Sequence, residues 1–293
     1  RLIPQIPGEK GVPFDVVGFV LTGAACLGLI FGLDRFNQGN IDWKPVTMVG
    51  GAVMIGALAV WHSRRATHPL LPLTALNIKS YAVTIYGGSL FRVAIGALPF
   101  LLPLMFQLGY GMSAFNAGLL VLAVFAGNLA MKPFTSPILH RFRFRSIMLV
   151  NGLINSATIF ACALLTPQVP TALTLLLLFA SGMSRSMQFT ALNTLAFSQV
   201  PAQQMGGANT LFNTAQQLST GLGIAIGALS LRIAEHFLPA SDTLQTSTFH
   251  IAFIIIGLFS LAGTLDSLTL DKTAGDEIRR KKESVPQPAA SEK

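Results

Sequence analysis

The sequence predicts an all-α fold, a polytopic membrane helix bundle with eight transmembrane helices. Eight runs of about 17 to 26 mostly apolar residues fill the chain, and an α-helix needs roughly 20 such residues to cross a hydrocarbon core about 30 Å thick. The chain is 52% hydrophobic and 11% charged, whereas a soluble domain carries about 25% charged residues. Its mean hydropathy of +0.59 agrees with a protein that lies mostly in lipid.

Each apolar run is predicted to be one membrane-spanning helix, since the backbone inside lipid has no water to bond. The predicted spans, in chain order, are Val16–Leu33, Pro45–Trp61, Tyr81–Phe106, Ala114–Met131, Ile147–Leu165, Thr171–Leu192, Leu211–Leu231 and Phe249–Leu265. The links at residues 107–113 and 166–170 are short, which predicts antiparallel neighbours.

Glycine and proline mark two spans for special packing. The third span carries Gly96, Pro99 and Pro103, and we expect it to bend because proline removes a helical hydrogen bond. The seventh carries Gly223 and Gly227 four residues apart, a spacing that favours close contact between membrane helices.

The basic residues predict the topology. With the N-terminus in the cytoplasm, 15 of the 20 Lys and Arg residues fall on the inner side, three on the outer side, and Arg92 and Arg185 within spans. Short loops rich in Lys and Arg stay cytoplasmic. We therefore expect a multi-pass protein of the bacterial inner membrane with both ends of the chain in the cytoplasm.

The composition separates a membrane-spanning part at residues 14–270 from a cytoplasmic linker at 1–13 and a disordered cytoplasmic tail at 271–293. The chain opens on Arg1 rather than Met, within a proline-containing linker. We therefore expect it to be a fragment of a longer protein.

The sequence argues against an enzyme, a cofactor or a metal site. The five histidines lie at span ends or in loops without metal-ligand spacing, and no glycine loop of the phosphate-binding type is followed by Lys and Ser or Thr. The excess of 20 Lys+Arg over 12 Asp+Glu follows the topology rather than one basic face, so nucleic acid is not expected as a partner.

Two arginines are the first candidates for function. Arg92 and Arg185 fall near the middle of the third and sixth spans, and a charge at that depth costs from about 3 to above 10 kcal/mol unless it is paired or faces water. None of the spans carries Asp or Glu at middle depth. Either both arginines line a water-filled pathway or substrate site, or they form fixed pairs with a carboxylate or with backbone carbonyls of another helix.

Polar residues at helical spacing extend the candidate site. Ser181 and Gln188 share a helical face with Arg185 in the sixth span, and Asn213 and Gln217 lie on one face of the seventh. The predicted cavity lining is therefore Arg92, Arg185, Ser181, Gln188, Asn213 and Gln217. Hydrogen bonding between helices is the alternative for these polar rows.

Two segments resemble a known family. Residues 91–107, FRVAIGALPFLLPLMFQ, followed by SAFNAG at 113–118, resemble the C-terminal half of 14-span drug:proton antiporters of the major facilitator superfamily. The loop from Lys132 to Ser146 departs from the family motif, since His140 stands in place of its aspartate while Arg141 and Arg145 match. We therefore interpret these arginines as a positive-inside anchor rather than as part of a gate.

The resemblance implies an arrangement in which residues 14–80 form two additional transmembrane helices and an inner loop, and residues 81–270 form the C-terminal six-helix transporter bundle. It also implies a function and a set of partners. It implies the C-terminal portion of a proton-coupled transporter that exports small molecules of the multidrug type by alternating access, with the third and sixth spans lining the central cavity. Its partners would be a small-molecule substrate, protons, the lipid bilayer and an N-terminal six-helix half, within a monomer. A non-transporting membrane scaffold or sensor of the same fold is the alternative.

Overall fold

The computed structural model describes residues 14–38, 43–67, 69–238, 246–271 and 274–275. Within them, eight long α-helices account for most of the chain. They are α1 Val16–Gln38, α2 Trp43–Arg65, α3 Lys79–Leu104, α4 Ala114–Arg141, α5 Phe144–Cys162, α6 Thr171–Phe197, α7 Met205–Phe237 and α8 Thr246–Asp266. The predicted all-α bundle is confirmed, whereas the predicted linker and nearly all of the predicted tail lie outside the described residues.

Seven of the eight helices, all except α6, are long and apolar enough to cross a membrane, as far as the described residues extend. The exception has 27 residues and a length of about 40 Å, which suffices for a crossing. Its middle carries Ser181, Ser184, Arg185 and Gln188, and these polar residues lower its mean hydropathy. Three of the four are buried within the bundle.

The largest departure from the expected boundaries is at the end of α4. We expected a loop from Lys132 to Ser146, but α4 continues to Arg141 with Pro133 and Pro137 inside it, and α5 begins at Phe144. Membrane helices tolerate internal proline because neighbouring groups satisfy the freed carbonyls. The α4–α5 connection is therefore a tight turn with arginines on both sides of it.

The helix α3 is the centre of the bundle. It packs against α6, α7 and α8, and its residues from Phe91 to Leu98 are all buried. The proline-containing end of α3 passes into a π-helical turn at Met105–Gly109. The α1–α2 hairpin lies at the periphery and reaches the rest of the bundle mainly through contact of α1 with α7.

Glycine allows two of the helix pairs to approach closely. A Cβ atom on Gly223 of α7 would overlap the Val93 carbonyl of α3, and a Cβ atom on Gly182 of α6 would overlap the Val124 carbonyl of α4. The predicted close contact at Gly223 is confirmed. Small residues serve this purpose in membrane proteins because helices there associate by packing rather than by the hydrophobic effect.

Candidate functional site

Arg92 occupies the interior of the bundle. Its side chain is 0% exposed and runs back along α3, where Nη1 donates a 3.1 Å hydrogen bond to the Thr84 carbonyl oxygen. The guanidinium therefore lies about one to two turns nearer to the start of α3 than its own Cα, as helical side chains generally point. Gly88 makes room for it, since a Cβ atom there would lie 2.8 Å from Nη1.

Two guanidinium nitrogens of Arg92 are left without partners. Neither Nε nor Nη2 has a hydrogen-bond acceptor among the described residues. In place of acceptors the group meets aromatic rings, with its Cζ 4.7 Å from the ring centroid of Phe212 and 5.9 Å from that of Phe189. Cation–π contacts of this kind attract the charge to the ring but do not replace the missing hydrogen bonds.

Arg185 meets the same aromatic ring as Arg92. Its Cζ lies 5.7 Å from the centroid of Phe189, and its side chain is partly exposed. We call Arg92, Arg185, Phe189 and Phe212 the basic–aromatic cluster. It joins α3 to α6 and α7, two consecutive helices that begin well after α3 ends.

The cluster carries positive charge that nothing described neutralises. Neither arginine forms an ion pair with a carboxylate of the described residues. A buried charge that lacks a counter-charge is strongly disfavoured, because desolvation costs several kcal/mol per ion. The arrangement can therefore bind an anionic group or a carboxylate from another segment.

The polar residues of α6 face a different neighbour from Arg185. Gln188 accepts a 2.9 Å hydrogen bond from Asn151 Nδ2 and donates one of 3.3 Å to the Met148 carbonyl. Ser184 donates a hydrogen bond of 3.1 Å to Asn155 Oδ1. The structure thus directs these side chains toward α5 and does not bring Gln188 into the cluster.

Ser181 is buried one turn before Arg185 on α6. Only 3% of it is exposed, and its carbonyl accepts a 3.0 Å hydrogen bond from the Ser184 hydroxyl. No described contact links it to either guanidinium.

The two candidates on α7 lie on its open face. Asn213 and Gln217 are exposed, and Asn213 donates to both the carbonyl and the side-chain oxygen of Asn209 at 3.0 Å. Asn213 directly follows Phe212 of the cluster in sequence. An exposed amide within a membrane-spanning helix is better accommodated against water or protein than against lipid. As cavity-lining residues, all six candidates stay a prediction.

Sequence reasoning missed the two phenylalanines of the cluster. Phe189 follows Arg185 by four residues, which places the two side chains on one face of a helix, so this spacing could have indicated it. Phe212 gives no such signal, because its position beside Arg92 depends on how α7 packs against α3.

A second ionised group ties the start of α1 to the end of α2. Asp15 accepts hydrogen bonds from the Gly18 amide at 2.8 Å and the Leu70 amide at 3.0 Å, and it pairs with His62 at 2.8 Å. These contacts, the Gly18 amide first, lower the pKa of the Asp15 carboxyl from 3.8 to about 2. Asp15 therefore stays ionised at every physiological pH.

Long apolar helices, glycine-mediated contacts and arginines turned inward define a multi-pass membrane protein with a polar interior. The sequence profile of the Major Facilitator Superfamily matches residues 14–224. The chain belongs to this superfamily, so the predicted family is confirmed. This match agrees with the expectation of a transporter class.

Relatives of the chain are bacterial proteins named for transport and drug resistance. It is 28% identical over 92% of its length to HsrA of Haemophilus influenzae, named as a probable transport protein, and covers 58% of that protein. It is also 28% identical to two MdtD proteins, one from Yersinia enterocolitica and one from Pectobacterium carotovorum. Both are provisionally named as multidrug resistance proteins. These matches cover 82% and 91% of this chain and 51% and 57% of those relatives. The chain thus spans about half the length of the curated relatives it matches.

Proposed function

We propose that the chain is the C-terminal portion of a proton-coupled transporter that exports small molecules by alternating access. The membrane would be the bacterial inner membrane, with both chain ends in the cytoplasm. The observation that carries this proposal is the fully buried Arg92, whose Nε and Nη2 have no partner among the described residues. A protein that only needed to fold would gain stability by replacing such a group with an apolar one.

The position of the cluster supports a role in transport. Arg92 and Arg185 belong to α3 and α6 and share the ring of Phe189. Relative movement of these helices would change the distance between the partly exposed guanidinium of Arg185 and the buried guanidinium of Arg92, which the Phe189 ring now separates. Alternating access places binding groups near such helix contacts, because the same movement opens one side and closes the other.

The relatives support the kind of substrate. Proteins named for multidrug resistance match most of this chain, and the cluster combines positive charge with two aromatic rings. Such a site favours an amphipathic molecule that has an anionic group and an apolar body. We propose that the substrate, the protons and a further helical half of the transporter meet this chain at the open faces of α6 and α7.

The test is transport by the longer transporter that contains this chain, reconstituted in proteoliposomes. Fluorescein serves as an anionic reporter, ethidium as a cationic one, and an internal pH dye reports proton movement. We expect Arg92→Ala and Arg185→Ala to lower fluorescein export by at least about tenfold, equivalent to about 1.4 kcal/mol of lost interaction.

Arg64→Ala is the matched control, since Arg64 is exposed at the end of α2 and outside the cluster. It should leave export unchanged. Unchanged export in both cluster variants, at equal expression, would remove these arginines from the mechanism. Failure of the unaltered protein to couple any reporter to proton movement would favour the alternative of a non-transporting scaffold or sensor.

A further inference from the structure

An apolar groove runs along the outside of the bundle between α4, α5 and α6. Its volume is about 340 Å³, within the range of about 300–1,000 Å³ that small-molecule sites occupy. It is lined by residues of three helices and of the α4–α5 turn. They are Met131 and Ile138 of α4, Ile147, Val150, Asn151 and Ile154 of α5, Met187 of α6, and Phe142 and Ser146 beside the turn. Almost all of its wall is hydrocarbon.

The groove is exposed and shares no lining residue with the basic–aromatic cluster. Val150 is 59% exposed, Ile154 is 49% exposed and Phe142 is 51% exposed, and no described residue covers them. In a chain that spans a membrane, an exposed apolar face meets acyl chains where no other helix covers it. This groove is lined mainly by α4 and α5 rather than by the faces of α6 and α7 proposed for the further helical half. A groove in such a face holds one chain in a defined place, whereas a flat face contacts many chains equally.

Three arginines are sequence neighbours of the groove residues beside the α4–α5 turn. Arg141, Arg143 and Arg145 alternate with Phe142 and Phe144 around the α4–α5 turn, and the groove residues Phe142 and Ser146 lie directly beside them in sequence. Arg141 and Arg143 are exposed, and none of the three side chains forms an ion pair with a carboxylate of the described residues. Residues 131–150 contain no Asp or Glu.

The start of α5 adds to the attraction for an anion. Arg143 is the residue before this helix, and its side chain makes no capping hydrogen bond. The first amides of a helix carry partial positive charge and have no partner within the helix. Partially positive amides and charged arginines, which attract a phosphate, therefore lie together at the α4–α5 turn, which contributes residues to the groove. The apolar wall of the groove suits an acyl chain.

We propose that this groove is a binding site for an acidic phospholipid, with one acyl chain in the groove and the phosphate at Arg141 and Arg143. A soluble anion would leave the apolar groove empty, and a zwitterionic lipid would leave the arginines without net counter-charge. Clusters of basic residues at the ends of membrane helices attract anionic headgroups by about 1 kcal/mol per residue. The proposal does not rest on the transport proposal.

The test places a fluorescent reporter in the groove. Val150→Trp is introduced after Trp43→Phe and Trp61→Phe have removed both tryptophans of this chain. The exposed position of Val150 tolerates the larger ring. The protein is reconstituted in phosphatidylcholine vesicles with a minor fraction of phosphatidylglycerol. Two preparations are compared, in which either the phosphatidylcholine or the phosphatidylglycerol carries brominated acyl chains that quench tryptophan.

We expect brominated phosphatidylglycerol to quench the tryptophan of the Val150→Trp variant as if this lipid were enriched on the order of tenfold over its bulk fraction. The double variant Arg141→Ala/Arg143→Ala should abolish most of this enrichment. The matched double variant Arg64→Ala/Arg65→Ala removes the same charge from exposed residues at the end of α2, at the same end of the bundle, and should preserve it.

Two results would overturn the proposal. Equal quenching by the two brominated lipids would show that only general boundary lipid occupies the groove. Equal loss of enrichment in both double variants would show that the total basic charge, and not this site, attracts the lipid. A second reporter, Leu173→Trp, replaces an exposed residue at the start of α6 and should show no enrichment in any variant.

Discussion

Replacement of Arg92 by methionine should stabilise the folded chain. Methionine fills much of the same space with a flexible apolar side chain. It removes a charge that is 0% exposed and that has no counter-charge among the described residues. A purely structural arginine would behave in the opposite way, because its removal would lower stability.

The magnitude follows from the contacts of the guanidinium. Its hydrogen bond to the Thr84 carbonyl contributes about 1.5–3 kcal/mol, and each of its two contacts with phenylalanine rings contributes about 0.5–2 kcal/mol. Against these stand a desolvation cost of several kcal/mol and about 1–3 kcal/mol for each unpaired nitrogen. We expect Arg92→Met to raise the free energy of unfolding by about 2 kcal/mol, or Tm by about 4–8 °C.

The assay uses Cys162, with the partly exposed Cys26 replaced by serine. Cys162 is 2% exposed, so a thiol-reactive fluorogenic dye reports unfolding in detergent as this side chain becomes accessible. Arg92→Lys is the control, because it keeps the charge but loses the planar stacking on Phe189 and Phe212, and it should lower Tm. A Tm for Arg92→Met below that of the parent chain would refute the reasoning.

Three further predictions test other parts of the structure. Acidification from about pH 4 to about pH 2 should release the contact of Asp15 with Leu70. The pKa of the Asp15 carboxyl is about 2 in the folded chain against 3.8 ordinarily, so its stabilising effect is lost as the pH falls through the folded value. Hydrogen exchange of the Leu70 amide measures this release, and constant protection down to pH 2 would contradict it. Gly182→Ala should destabilise the chain by about 1–3 kcal/mol through overlap with α4. Gly118→Ala meets nothing within 4 Å and should be neutral or stabilising in the same thermal assay, so equal shifts would argue against tight helix contact. Asn155→Ala removes two hydrogen bonds of 3.1 Å and should lower the free energy of unfolding by about 1 kcal/mol, at about 0.6 kcal/mol per bond. Denaturant titration measures this loss, and a loss above about 3 kcal/mol would contradict the weak-bond estimate and show a stronger network.

The fold was accessible to sequence reasoning because membrane helices are encoded locally. A stretch such as Val16–Leu33 needs only its own length and composition to be recognised, and α1 does begin at Val16. The end of α4 was not accessible in the same way, since Pro133 and Pro137 are ordinary signs of a helix end. Their inclusion in a helix depends on neighbours that local sequence does not reveal.

The candidate site was accessible only in part. Arg92 and Arg185 were recognised because charge inside an apolar span is conspicuous in any sequence. Their shared contact with Phe189 was not, because it depends on the rotation of α3 and α6 about their axes. The same rotation turns Gln188 toward Asn151, although its spacing from Arg185 on the helix suggested a common face.

The sequence by itself determined that this chain is a bundle of membrane helices with two arginines inside it, since the length and polarity of each segment are read without reference to any other segment. Only the tertiary structure decided which side chains meet, because each helix can rotate and slide against its neighbours without any change in its own hydropathy. Close helix contact, as at Gly182, selects one such arrangement, and that arrangement brings the rings of Phe189 and Phe212 to the guanidinium of Arg92.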